Sequence, residues 1–166
     1  GVGGRSLVDV QVEYKEVRSD VETVPVLDSR PGIFSLDGSG QGQGAILNED
    51  GSVNSASNPA WRGSIVTIYM TGGGEAAEGV TDGQILDNLV PRTRWPMSAA
   101  FNVGHEGWSE AQGEVLYAGG VSGSVAGLLQ VNLRVPPNAL EGDAVAFGLC
   151  IGSHCVQEFQ ITIALR

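Results

Sequence analysis

Cys150 and Cys155 are the chain's two cysteines, and the four residues between them have the length of a tight hairpin. On such a hairpin the two would face each other, close enough for a disulfide. Closing so short a loop contributes about 2 kcal/mol in the chain-entropy picture. The alternative is a pair of reduced thiols in a core strand. Together with His154 they also form a set of three metal ligands, one short of the four usual for structural zinc. No metal site is expected there.

Other spacings invite chemistry and fall short of it. Asn48, Asp50, Ser52 and Asn54 recur at every second residue, as in an acidic calcium loop, with Gly51 at the turn. Ile46 stands where a first ligand belongs and no bidentate Glu follows, so an Asp-Gly hairpin turn is the better reading. Gly38 to Gly44, reading GSGQGQG, lacks the Lys-Ser/Thr pair and the following helix of a phosphate loop. Glu75, Glu78, Asp82 and Asp87 could supply a carboxylate pair, but they crowd one acidic loop and read as solvated surface. The histidines are His105 and His154, and no Gly-x-Ser-x-Gly elbow occurs. The expectation is a chain that is not an enzyme and that takes no cofactor. Trp61, Trp95 and Trp108 could form a sugar-stacking platform, helped by Asn58 and Arg62; their alternative is core and loop packing, since sandwiches commonly bury a tryptophan.

The elements that must carry these residues show in the alternation. Val8, Val10, Val12 and Tyr14 alternate with Asp9, Gln11, Glu13 and Lys15. The same period of two runs through Leu129 to Val135, Val145 to Ile151 and Phe159 to Leu165. Side chains of a strand alternate faces, so each segment offers one apolar face and one wetter face. Ile65 to Met70 is apolar on both faces, as in a central strand. Asp37-Gly38, Asp50-Gly51, Gly72-Gly73-Gly74, Pro136-Pro137 and Gly152-Ser153 mark turns between the runs. Many short strands with turns between them predict an all-β antiparallel sandwich. One short stretch, Asp82 to Leu89, is a candidate for a single helical turn.

An internal repeat adds a second level of order. Leu7 to Asp28 (LVDVQVEYKEVRSDVETVPVLD) aligns without gaps on Ala144 to Leu165 (AVAFGLCIGSHCVQEFQITIAL). Val8, Val10, Val12 and Tyr14 fall on Val145, Phe147, Leu149 and Ile151, while Val24 and Val26 fall on Ile161 and Ile163. Both copies read as strand, short polar turn, strand. The second closes the chain, so the first reads as the closing hairpin of a preceding domain. The hairpin's apolar face, Val8, Val10, Val12, Tyr14, Val24 and Val26, must pack somewhere, because a lone two-stranded hairpin is marginal in water. Three placements stay open: on its own domain, within a preceding domain, or on the next copy of the chain by strand addition, which would build a filament.

Charge and composition bound the partners. The 166 residues hold 19 acidic and 9 basic side chains, a net charge of -10. That balance opposes nucleic acid, whose binders neutralise phosphates with Lys and Arg. It opposes anionic membrane surfaces as well. No apolar run approaches the roughly 20 residues that a membrane helix needs, so membrane insertion is not expected. A mean hydropathy of +0.04 is that of a globular chain. Gly1 to Arg5 has no signal-peptide core, so a secreted protein would be represented here in processed form or as a fragment.

Several stretches resemble a known family. Pro31 to Gly72 (PGIFSLDGSGQGQGAILNEDGSVNSASNPAWRGSIVTIYMTG) is similar to the opening of an uncharacterised C-terminal domain repeated across large secreted acidobacterial proteins of the Solibacter type. Val115 to Asp143 (VLYAGGVSGSVAGLLQVNLRVPPNALEGD) is similar to its second half, and Val12 to Phe34 (VEYKEVRSDVETVPVLDSRPGIF) to the join between a preceding domain and this one. The Pro-Gly-Ile-Phe and Gln-Gly-Ala-Ile-Leu-Asn elements carry the resemblance. Cys150, Cys155 and the aromatic-rich stretch Arg92 to Trp108 depart from it. The resemblance implies an immunoglobulin-like β-sandwich over residues 31–166, preceded by a β-hairpin over residues 1–30, at the end of a secreted or cell-surface protein. It implies no reaction. The expected function is a non-catalytic structural or adhesive module whose partners are other domains or copies of the same protein. A filament subunit and a carbohydrate-binding module that takes glycans are the alternatives.

Overall fold

The computed structural model describes the whole chain except residues 1, 78, 88, 89, 105, 106, 108 and 157–159. Four short strands open it: β1 (Leu7–Val10), β2 (Glu13–Tyr14), β3 (Val17–Arg18) and β4 (Glu22–Pro25). Then come β5 (Gly32–Ile33), β6 (Gly42–Gln43), β7 (Ile46–Leu47), β8 (Ile65–Thr71) and β9 (Met97–Phe101). The rest are β10 (Ala111–Gly120), β11 (Leu129–Arg134), β12 (Gly142–Ile151), β13 (His154–Cys155) and β14 (Ile161–Leu165). The fold is all-β, and no helix occurs among the described residues. The candidate helical turn is corrected accordingly. Asp82 and Gly83 make a turn, and Ile85 then forms an isolated bridge to Val125, so that stretch pairs with another loop instead of with itself.

Ten strands form one curled sheet, in the order β5-β8-β11-β10-β9-β12-β14-β6 with β7 beside β8 and β13 beside β12. The pairings are those of an immunoglobulin-like sandwich. In its lettering β8 and β11 are strands B and E, β9 and β12 are C and F, and β14 is G. Strand A is split. Its β5 and β7 segments lie antiparallel on β8, while β6 runs parallel to β14. One long strand joins the two layers. The first part of β10 (Ala111 to Gly113) pairs β9, its later part (Glu114 to Gly120) pairs β11, and the register slips between Val115 and Tyr117. Such a bulge bends a strand and lets it pass from one sheet to the other.

The alternation read from the sequence becomes the core. Val66, Ile68 and Met70 of β8 are fully buried, with Val131 and Leu133 of β11 and Leu149 and Ile151 of β12. Phe101 and Phe147, directly paired across β9 and β12, stack with centroids 5.6 Å apart. The other face of β8, Ile65, Thr67 and Tyr69, is half-buried, so this strand has one dry side where two were expected. Phe159, part of the closing run in the sequence, lies outside the described residues.

Candidate interaction surface

Because strand A is split, the sandwich covers its own edges. The outer edge of β14 is met first by β6, at Ile161 and Thr162. At Ala164 a side chain takes over. Asn54 is completely buried; its Oδ1 accepts the Ala164 N–H at 2.9 Å and its Nδ2 donates to the Ala164 carbonyl at 3.0 Å. The amide imitates one residue of a neighbouring strand. Asn48 Oδ1 and Gln43 Nε2 complete its hydrogen bonds at 2.9 and 3.0 Å. Ala60 then bridges Leu165, and the Arg62 N–H donates to the Arg166 carbonyl. On the opposite edge β5 and β7 cover β8, and the Glu49 carboxylate accepts the Ile65 N–H at 3.3 Å.

That geometry decides the calcium-like spacing. Asn48 and Asn54 bond to each other, and Asp50 Oδ1 accepts from both the backbone and the hydroxyl of Ser52. Gly51 has φ 81° at the turn. The four residues satisfy one another and their neighbours as a closed turn. These bonds to Ser52 hold the Asp50 carboxyl below its ordinary pKa. In the glycine-rich loop, Asp37 accepts the Ser39 hydroxyl, the Ser39 N–H and the Ser35 hydroxyl, which together lower its pKa from 3.8 to about 2.

The N-terminal hairpin is built differently. Among the described residues β1 pairs only β4, with Val8 opposite Val24, and β2 pairs only β3. Lys15 and Glu16 turn the chain at φ 49° and 66°, the left-handed pair of a two-residue hairpin loop. Val8, Val10, Val24 and Val26 share one face. The continuous face expected through Val12 and Tyr14 is corrected, because the ladder is interrupted between Val10 and Glu13. Val10, Val12 and Tyr14 are 47%, 64% and 70% exposed. Of the shared face, Val10 is exposed and Val8, Val24 and Val26 are half-buried; a partly exposed apolar strand pair with open edges is what soluble β-proteins otherwise avoid.

A tight joint holds this hairpin to the sandwich. Gly72, at φ 78°, lies so close to the joining segment that a Cβ there would come within 1.8 Å of the Arg30 carbonyl oxygen. A Cβ on Gly74, at φ 74°, would likewise come within 1.9 Å of the Asp28 carbonyl oxygen. Only glycine meets both requirements, positive φ and no Cβ. The Arg30 N–H donates to the Gly72 carbonyl at 2.9 Å. Buried Ser29 donates to the Ile151 carbonyl at 2.9 Å and lies 3.4 Å from His154 Nδ1. The joint thus rests on the tip of the β12–β13 hairpin. Cys150 and Cys155 face each other in that tip, bonded at S–S 2.03 Å.

Trp61 and Trp95 do not converge. Trp61 is 71% exposed and follows Ala60, which bridges Leu165, the partner of Gly142 at the start of β12. Trp95 packs partly buried against the core and against Gly152, just past the other end of β12. Ten residues of strand separate the two positions, roughly 30 Å. The Arg94 guanidinium lies over the Trp95 ring at 5.5 Å and also pairs with Glu75. Trp108, His105 and Glu78 lie outside the described residues. Trp95, Arg94 and Glu75 border an open cavity of about 1320 Å³ that also takes in Val2, Val26 and Gly73.

Sequence reasoning missed Asn54, Ser29 and the joint glycines as structural devices. Gly72 to Gly74 gave a turn signal, but nothing in a single sequence shows which segment a glycine lets approach. No family model, curated protein or solved structure matches the chain.

Proposed function

We propose that the chain is a non-catalytic structural or adhesive immunoglobulin-like module of an extracellular protein. The observation that carries this reading is the joint. Gly72, Gly74, Ser29 and Arg30 fix the direction in which the N-terminal hairpin leaves the sandwich, as a part that transmits position requires. The cross-strand cysteine pair supports an oxidising, extracellular setting. The covered edges of β8 and β14 speak against the filament alternative, since a donated strand needs a free edge to join. The wide spacing of Trp61 and Trp95 speaks against a shared sugar platform. Protease shaving of intact cells, followed by mass spectrometry, tests the reading. Peptides of the chain are expected in the shaved fraction; their recovery only after lysis would overturn it. A glycan array run on the purified chain is expected to be silent. Binding lost on Trp61→Ala would turn the reading toward a carbohydrate-binding module.

A further inference from the structure

The two halves of the internal repeat share more than alternation. At the constant offset that carries Glu13 onto Cys150, the pairs Glu13–Arg18 and Tyr14–Val17 fall on Cys150–Cys155 and Ile151–His154. The four residues are matched partner for partner. Both tips turn over two residues, Lys15-Glu16 in one and Gly152-Ser153 in the other. Nearer the base the pairings differ by two residues, Val8 facing Val24 where Val145 faces Ile163.

In the sandwich, the counterpart of this hairpin is completed on both sides: β12 takes β9 as an antiparallel neighbour and β14 takes β6. The N-terminal hairpin has the same design and, among the described residues, neither neighbour. We propose that it is the closing hairpin of a second immunoglobulin-like sandwich, built from strands that precede Leu7 in the polypeptide. It would dock there through Val8, Val10, Val24 and Val26 and through the outer edge of β1. This rests on the module reading above and names the partner.

Three observations select that occupant. In the chain's own sandwich β8 and β14 are already paired and the outermost strands, β5 and β6, are two residues long, so neither it nor a second copy's sandwich offers β1 a long edge. A second copy's hairpin is disfavoured by charge, because Leu7 to Asp28 holds six carboxylates against two cations, a net of -4, and like surfaces repel. The outer edges are unequal in the manner of a closing pair. The Val26 N–H donates to the Ser6 carbonyl, so alternation turns the Asp9 and Thr23 amides outward. Pro25 removes a donor from the β4 side, leaving β1 as the better edge for a long antiparallel neighbour.

The test places a second copy of Pro31–Asp143 directly ahead of Leu7 in the full chain, so that the hairpin stands where Ala144–Leu165 stands in the sandwich. Hydrogen exchange is read at Asp9 and Thr23. In the chain alone these amides are expected to exchange freely; in the fusion, the Asp9 amide is expected to slow by about 100-fold or more. A parallel fusion with Val10→Phe and Val12→Leu restores the bulk of Phe147 and Leu149, so that a poor fit is not mistaken for a wrong partner. Absence of protection in both fusions overturns the proposal. Protection of Asp9 in the monomeric chain alone also overturns it, in favour of packing at home. A chain that sediments as a dimer and becomes monomeric on Val10→Asp overturns it in favour of a second copy. None of these failures touches the surface location on which the module reading is tested.

Discussion

Two hairpins of one sequence pattern meet opposite fates in this molecule. In β12 and β14 the alternating side chains are large, Phe147, Leu149, Ile161 and Ile163, and all are buried. In β1 and β4 they are valines, and Val10 is half exposed. The tips share their register, yet one is tied by a disulfide and the other by the exposed ion pair of Glu13 and Arg18, at 2.8 Å. Local alternation therefore specifies a hairpin in both places. What makes one of them core is the set of neighbours that tertiary structure supplies.

The largest effect should come from the matched pair Phe147→Ala and Val10→Ala. Phe147 loses its stacked partner Phe101 and leaves a cavity, so a cost of about 3–5 kcal/mol is expected. Val10→Ala should change the unfolding free energy by less than about 0.5 kcal/mol. Urea denaturation measures both. Comparable costs would mean that the hairpin folds as part of the sandwich core, and the comparison would fail.

Asn54→Ala probes how the edges differ. It would strand the Ala164 N–H and carbonyl, which the side chain now satisfies in a fully buried site. A loss of about 2–3 kcal/mol is expected, with faster amide exchange at Ala164. Asn54→Asp should also destabilise, because a carboxylate keeps the acceptor but not the donor to the Ala164 carbonyl. An unchanged denaturation midpoint in both variants would remove Asn54 from the account of edge closure.

Next in size are the two tips. Replacing both Cys150 and Cys155 with Ser should cost about 2 kcal/mol, the value for so short a closed loop. Its counterpart Glu13→Gln should cost under about 0.5 kcal/mol, since both partners of that ion pair are more than half exposed. Alkylation of the intact chain should add no mass until a reductant is present. Mass gained without reduction would show free thiols.

Much of this was legible in advance, and the limits have physical causes. Period-two alternation located β1, β11, β12 and β14, and a continuous apolar run located β8; in all of them except β1 one face is dry. Alternation passed over β9, whose residues are Met-Ser-Ala-Ala-Phe, and β10, which carries three glycines. Ser98, Ala99 and Ala100 in β9 and the glycines of β10 are small, and small residues leave no hydrophobic signature. Asn54 enters the sequence reading only as part of a calcium-like spacing, set aside in favour of an Asp-Gly hairpin turn. Neither reading touches its role, which depends on Ala164, 110 residues away. No local pattern encodes such a partner. Two of the tryptophans were visible as residues, but their separation was set by which end of β12 each adjoins.

The smallest expected effect concerns the loop that lets strand A serve both edges. Ser35, Asp37 and Ser39 shape the passage from β5 on one edge to β6 on the other, and the Gly40 N–H donates to Ser35 Oγ at 2.8 Å. The Asp37 carboxylate accepts the Ser39 hydroxyl, the Ser39 N–H and the Ser35 hydroxyl, so its ionised form is favoured and its pKa falls from 3.8 to about 2. A carboxyl depressed by folding stabilises the folded form when ionised. That contribution is complete above the ordinary value near 3.8 and fades as pH falls toward 2. Asp37 is fully exposed, so the response should be local, with no measurable change in global stability. The Ser39 amide resonance should therefore shift with a midpoint near pH 2, and the shift should vanish in Asp37→Asn. The β1 amides should not follow that midpoint, because the N-terminal hairpin draws no support from this loop. A Ser39 midpoint at 3.8 would mean that the three hydrogen bonds do not persist in solution, and the loop's share in placing β6 would have to be given up.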